Sequence, residues 1–317
     1  MTNSKKQLTD LLNIKHPIIM APMFLVSNTK MAKVALEKGI AVCIPALNFR
    51  TSEGLKSAIE ELQAYEKNRG AIGINLIVNN SNSRYLEQLE ICCNKKIDFI
   101  ITSLGNPKTV IERVKPWEIK VFCDIVNLKH ARKVVSLGCD ALIAVNNRAG
   151  GHLGNKSAEV LIKEVEQLKV PIICAGGIGT KKHYERMMRL GAAGVSIGSP
   201  FIASEESSVS EEYKKACVVY GSKDIVITDK ISGTPCTAIN TAYLQEISKK
   251  NNSILNYLKS VSFLKKIISK WIYLKGMKKV NNAAKKATYK TVWVAGYSIE
   301  HTKGIEPISK IIERYIT

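Results

Sequence analysis

Two patterns alternate along the first two hundred residues. Short, nearly unbroken apolar runs lie at Pro17–Met20, Ile40–Ile44, Ala71–Ile77, Ile97–Ile101, Lys120–Cys123, Ala141–Ala144, Pro171–Cys174 and Gly194–Ile197. Between them, apolar residues recur at three- and four-residue steps, as over Thr29–Lys38, Ser52–Asn68, Leu128–Leu137 and Ser157–Leu168. A strand covered on both faces needs apolar side chains on both, so continuous runs predict a parallel sheet and the intervening stretches predict amphipathic helices. Gly39, Gly138 and Gly191 stand where a helix would close through a left-handed residue. Strand–helix alternation repeated in this way predicts an α/β fold, a closed (β/α)8 TIM barrel. An open doubly wound sheet competes with it, but that fold usually carries its glycine fingerprint after the first strand, and here the glycines come late.

The rhythm breaks after Phe201. Glu205–Tyr220 reads as a helix, Ile225–Thr228 as a short strand and Gly233-Thr-Pro-Cys236 as a loop. Tyr243 to about Lys286 reads as helical, with Ile254, Leu258, Val261, Leu264, Ile267, Ile268 and Trp271 on one stripe. Ile305–Tyr315 reads as the eighth helix of the barrel. The expected division is therefore a barrel over residues 1–204 and 290–317, with a lysine-rich helical insertion over 205–289 that covers the substrate.

Charge changes this picture in one place. The net charge is +20, and Lys249–Lys290 holds twelve lysines with no Asp or Glu. An apolar stripe beneath lysines fits a helix docked on its own barrel with a solvated outer face. Binding of nucleic acid or an anionic surface is the alternative, disfavoured because the segment lacks the bidentate arginines of specific phosphate recognition. The eight cysteines form no Cys-x-x-Cys pair and several lie in strand-like runs, as buried reduced thiols do. No metal cluster is indicated. The start of the chain lacks a signal-peptide core, and no run approaches the ~18 apolar residues of a membrane span. These features point to a cytoplasmic protein.

In a barrel of this kind the chemistry sits at the carboxyl ends of the strands. Ala175-Gly176-Gly177-Ile-Gly follows the seventh run and Gly198-Ser199 follows the eighth. Glycines there let backbone N–H groups approach an anion, and the last two loops are the fold's usual phosphate site. Asn146-Asn-Arg-Ala-Gly150-Gly151-His152 follows the sixth run. The glycines let the loop fold tightly and present an imidazole suited to proton transfer near neutral pH. Ala21-Pro22-Met23 after the first run offers a stiff turn and a thioether to lie against a flat ring. Asn75 offers an amide able both to donate to and accept from a heterocycle, and Asp124 ends the fifth run. The remaining histidines, His16, His130, His183 and His301, read as structural.

Together, Ala21-Pro-Met, Gly73-Ile-Asn75, Ala149-Gly-Gly-His-Leu-Gly154, Ala175-Gly-Gly177 and Gly194-Val-Ser-Ile-Gly-Ser199 resemble the nitronate monooxygenases, also called 2-nitropropane dioxygenases. The related flavin-dependent enoyl-acyl-carrier-protein reductases share the pattern. Phe201-Ile-Ala-Ser-Glu-Glu, Ser232-Gly-Thr-Pro and Trp293-Val-Ala-Gly296 look like later blocks of the same family. The resemblance implies one non-covalent FMN, contacted by Asn75 and Gly150, with its phosphate on Gly176, Gly177, Gly198 and Ser199. His152 would be the catalytic base or acid. It implies oxidation of alkyl nitronates with O2, or in the reductase branch NAD(P)H-dependent reduction of an enoyl thioester or quinone, and it leaves a homodimer open. Arg148 stands where many members carry Glu, and Tyr297 where some carry Gln.

Overall fold

The computed structural model describes residues 6–79, 82–229, 234–249 and 292–317. Its centre is a closed parallel barrel of eight strands. In chain order the strands are β1 (Ile18–Met20), β2 (Ala41–Pro45), β3 (Ala71–Ile77), β4 (Phe99–Ser103), β5 (Lys120–Ile125), β6 (Ala141–Val145), β7 (Gly151–His152), β8 (Ile172–Ala175), β9 (Gly194–Ile197), β10 (Ile225–Thr228) and β11 (Cys236–Ile239). The barrel uses β1 to β6, β8 and β9, and β9 closes on β1 with Ile19 opposite Ser196. The eight apolar runs become these eight strands, with ends moved by one or two residues.

Alternation along each strand separates two cores. Ile19, Ala41, Cys43, Ala71, Phe99, Ile101, Phe122, Ala141, Ile143 and Ile173 point into the barrel, while Ile18, Val42, Ile72, Val121, Leu142, Ile172 and Val195 face the helices. Inside, large and small side chains interdigitate. Phe99 and Phe122 stack with centroids 5.1 Å apart. They fit because position 73 is glycine: a Cβ there would fall 2.3 Å from the Phe99 ring. The short helix Leu8–Leu12 plugs the amino-terminal end of the barrel with Leu8 and Leu12. The floor of the opposite end is thus solid, and everything above the two phenylalanines is available for a site.

The helices begin where a side chain can take an orphan N–H. Asn28, Thr51, Asn127, Ser157, Thr180 and Ser210 each accept from the residue three positions on. Gly39, Gly138 and Gly191 adopt the expected left-handed conformation. The last helix is Ile308–Ile316, beginning after Pro307 rather than at Ile305, since proline lacks the N–H that a helix interior donates. It packs against Thr29–Glu37 and Lys181–Arg189 with Ile308, Ile311, Ile312 and Tyr315 buried, which completes the helical ring.

Three expectations beyond the barrel need correction. The helix read from Glu205 starts at Glu211, behind the Ser210 cap. The loop read at Gly233–Cys236 gives way to a strand at Cys236. That strand, β11, pairs antiparallel with β10 on one side and with β7 on the other, so the Gly151–His152 loop belongs to a second, three-stranded sheet. The helix expected from Tyr243 is seen as Ala242–Lys249. Its lysine-rich continuation, and Ser232-Gly233 of the Ser-Gly-Thr-Pro block, lie outside the described residues. Among the described residues no helix is long and apolar enough to cross a membrane.

Candidate active site

The barrel opens at its carboxyl end into a cavity of about 680 Å³. Ala21, Pro22, Met23, Asn75, Asp124, Gly150, Gly151, His152, Gly176, Gly177, Gly198 and Ser199 all line it. The sequence-predicted residues therefore converge on one place. Most of the remaining wall is apolar, including Phe24, Leu47, Ile77, Leu104 and Leu153.

Strand register builds one side. Asn75, Ser103 and Asp124 follow inward-facing positions on β3, β4 and β5, so they meet as neighbours above the phenylalanine floor. Asn75 Nδ2 donates to Ile101 O at 3.1 Å and to Ser103 Oγ at 2.8 Å, and Ser103 Oγ donates to Asp124 Oδ2. Both amide hydrogens of Asn75 are thereby used. Contrary to the sequence expectation, this amide offers a ligand only its Oδ1 acceptor. The surface Asp124 retains belongs to the cavity wall. Desolvation pushes its carboxyl up to about 6, against a smaller lowering by Ser103.

The loop after β6 is organised by Asn146, which is buried. Its Nδ2 donates to Gly176 O at 2.9 Å, its Oδ1 accepts from Arg148 N at 2.7 Å, and its own N–H donates to Ala175 O at 3.0 Å. One side chain thus ties the β6 loop to the β8 loop. Further on, three segments pinch together. A Cβ at Gly150 would lie 2.9 Å from Ser199 Oγ and 3.0 Å from Gly296 N, and one at Gly296 would lie 2.7 Å from Gly150 N. Ser199 Oγ accepts from Gly296 N at 2.8 Å. Gly150 and Ser199 therefore have a packing duty in addition to any ligand contact, and the Trp293–Gly296 stretch supplies its third side.

His152 stands on β7. Its side chain lines the cavity while part of its surface stays exposed, and the surrounding protein desolvates the imidazole, which lowers its pKa below the ordinary 6.5. Desolvation thus favours the neutral ring, the form a proton acceptor needs.

The other wall is backbone. Gly176 and Gly177 have φ of +113° and +75°, a region costly for any side chain. A Cβ at Gly176 would also fall 2.5 Å from Asn146 Oδ1 and 2.6 Å from Ala149 N. Among the described residues no acceptor takes the N–H of Gly176, Gly177 or Gly198. Met23 lies across the last of these, since a Cβ at Gly198 would sit 3.6 Å from its Sδ. The Arg148 side chain leans over Gly177, and its guanidinium is 5.2 Å from the Tyr297 ring and 3.8 Å from Glu300 Oε1.

Sequence reasoning missed Ser103, Asn146, Thr237 and Gly296. Thr237 Oγ1 accepts from Gly151 N at 3.0 Å and donates to Ala149 O at 3.1 Å. Polar residues at strand ends were a signal for Ser103 and Asn146. Nothing local marked Thr237, since its partners are more than eighty residues away. His130, read as structural, lines the outer cavity. Among the described residues no group of His, Cys, Asp and Glu is arranged to hold a metal.

A closed (β/α)8 barrel with unpaired loop amides and a histidine in one cavity at its carboxyl end fits the flavin-type oxidoreductases built on such barrels. A family model described as nitronate monooxygenase matches residues 46–317, and the chain belongs to that family. It is therefore an enzyme and an oxidoreductase. A probable nitronate monooxygenase of Staphylococcus saprophyticus is 27% identical over 295 residues, covering 79% of this chain and 83% of the relative. A (3aS,4S,5R,7aS)-5-hydroxy-7a-methyl-1-oxo-octahydro-1H-indene-4-carboxyl-CoA dehydrogenase of Rhodococcus jostii is 25% identical over 254 residues, covering 80% and 70%. Among solved structures, FabK from Thermotoga maritima superposes with a TM-score of 0.78 at 26% identity, over 98% of this chain and 94% of that one. A nitroalkane oxidase from Streptomyces ansochromogenes, at 19% identity and a TM-score of 0.77 over 98% and 96%, shares the fold.

Proposed function

We propose that this enzyme binds FMN and oxidises alkyl nitronates with O2, giving a carbonyl compound and nitrite. The observation that carries the reading is the set of unpaired N–H groups at Gly176, Gly177 and Gly198, in the same cavity as His152. Backbone donors at the ends of the last two barrel strands fit a phosphate dianion, and the Arg148 guanidinium beside Gly177 adds positive charge. Asn75 Oδ1 fits an imide N–H, and Met23 with the apolar wall fits a flat ring. Bound FMN would supply the capacity to accept electrons from the substrate and deliver them to O2. His152 would take the carbon-bound proton of a neutral nitroalkane, the conjugate acid of the nitronate, and the wall of Phe24, Leu47 and Leu153 holds an alkyl chain away from water.

The described part of the segment after residue 204 acts in this reading as a cover of the site, since Thr234, Pro235 and Cys236 line the cavity. The eight free, buried cysteines suit a reducing compartment such as the cytoplasm. A homodimer is compatible with the reading, and binding of nucleic acid forms no part of it.

The likeness to FabK and to a CoA-ester dehydrogenase, with a cavity large enough for a long apolar substrate, favours one second reading: NAD(P)H-dependent reduction of an enoyl thioester or quinone. The absorption spectrum of the purified protein comes first, and a colourless protein that takes up no added FMN overturns both readings. Anaerobic mixing then separates them. Bleaching by propyl nitronate without nicotinamide supports the monooxygenase, and bleaching by NADH or NADPH alone supports the reductase.

A further inference from the structure

We propose that Thr237 is the positioning residue for His152: its hydroxyl clamps both ends of Gly150 and so fixes the strand that presents the imidazole. The inference rests on the reading of His152 as the proton-transfer group. Gly150-Gly151 is a loose hinge by composition, because two glycines in sequence lose more backbone freedom on ordering than any other pair, ~1–2 kcal/mol per residue. Gly151 is held at φ +76°, a region glycine visits freely but does not settle in unaided. Something must select one conformation if the imidazole is to meet a substrate in one place.

The selecting element is β11. Its register sets Thr237 opposite Gly151 and Cys236 opposite His152. A two-residue ladder is weak alone, and the Thr237 side chain reinforces it. Oγ1 takes the Gly151 N–H at 3.0 Å and gives its own proton to Ala149 O at 3.1 Å. Thr237 is fully buried and so is its bond to Ala149 O, which keeps water from competing for that end, while the Gly151 N–H end is part-buried. Only a hydroxyl can accept and donate at once in that volume, and the β-branched side chain is stiff about χ1. Valine would keep the shape and leave the part-buried Gly151 N–H and the buried Ala149 C=O without the hydroxyl that joins them. The same strand segment continues into Thr234, Pro235 and Cys236, which form part of the cavity wall. The element that touches the ligand space is thus the element that sets the base.

The test compares Thr237→Val and Thr237→Ser in the full chain loaded with FMN. Two readouts are taken: the kcat and KM split for 1-nitropropane supplied as the neutral nitroalkane, whose carbon-bound proton His152 would take, and the His152 titration followed by NMR of the imidazole Cε1–H. Thr237→Val is expected to keep its flavin and a KM within about twofold, to lose roughly 10- to 100-fold in kcat, and to let the His152 pKa drift back toward 6.5. Thr237→Ser, which retains the hydroxyl, is expected to restore both to near the parent. In a His152→Ala background, Thr237→Val is expected to cost nothing further. A parental kcat and titration in Thr237→Val, or equal damage from serine and valine, overturns the inference. Were the valine variant not to fold, Thr237→Cys takes its place, since a thiol is near in size but too weak a donor and acceptor to hold both ends. Absence of nitronate turnover in the parent would count against the proposed activity alone, because the titration of His152 still reports on the clamp.

Discussion

Replacing Asp124 with asparagine is expected to stabilise the protein at neutral pH and to do so in a pH-dependent way. Desolvation raises this carboxyl from 3.8 to about 6, so the folded chain holds the proton more tightly than the unfolded chain. Folding then favours the protonated form, and stability falls as pH rises from below 3.8 to above 6. At ~1.4 kcal/mol for each tenfold in proton affinity, the full loss is ~3 kcal/mol, and ~2 kcal/mol of it develops between pH 4.5 and 8. Asparagine does not ionise, yet its Oδ1 still accepts from Ser103 Oγ, so the Asn75–Ser103 chain of hydrogen bonds survives. The assay is urea unfolding of parent and variant, stripped of any bound cofactor, at both pH values. Asp124→Asn should gain ~1 kcal/mol over the parent at pH 4.5 and ~3 kcal/mol at pH 8. A difference that stays the same at the two pH values would refute the argument, because it would mean that Asp124 ionises in the fold as it does in water.

Other expectations follow from the same geometry. His152→Ala should keep FMN but lose turnover of the neutral nitroalkane by roughly 10²–10⁴-fold; in the parent, that turnover should be flat at high pH and fall only as pH drops through the lowered imidazole pKa, a limb that survives Asp124→Asn. Gly176→Ala must displace Asn146 and Ala149 and adopt φ +113°, so chemical denaturation should show a loss of ~2–4 kcal/mol together with weak flavin retention. Arg148→Gln should weaken FMN roughly three- to tenfold in equilibrium dialysis and flatten the salt dependence of binding, with little effect on folding, because the side chain is exposed and its ion pair with Glu300 is long.

The barrel was legible because its strands are covered on both faces and therefore write themselves as apolar runs. Ile19 and Ile18 face opposite cores, yet both are apolar, and that continuity is the signal. Strands β7 and β11 carry no such signature. One is Gly-His, too short for any period, and the other is Cys-Thr-Ala-Ile, set beside a loop-like Gly-Thr-Pro. Their pairing is a long-range fact, joining residues more than eighty positions apart. The site divided in the same way. Glycines and a histidine at strand ends announced themselves, since each is a residue type with a restricted use. Asn146 looked like a loop asparagine until its amide was seen to bridge β6 and β8. Asn75 was recognised but misjudged, because Ser103, which spends its second hydrogen, is contributed by a neighbouring strand.

One cause acts on both Asp124 and His152. Burial in an apolar wall raises Asp124 toward 6 and lowers His152 below 6.5, so the carboxylic acid and the imidazole move toward each other in proton affinity. The gap of more than two decades that ordinarily separates the two groups is narrowed, which suits a site where protons are exchanged. Their supports are independent, Asp124 on the β3–β5 network and His152 on the β7–β11 ladder, whereas the anion cradle is built from backbone at β8 and β9. A ligand that fills the cavity and expels water should therefore act on chemistry without touching the cradle. It should raise the carboxyl further and lower the imidazole further, so calorimetry in buffers of different ionisation heat should show proton uptake at Asp124 and proton release at His152 on binding.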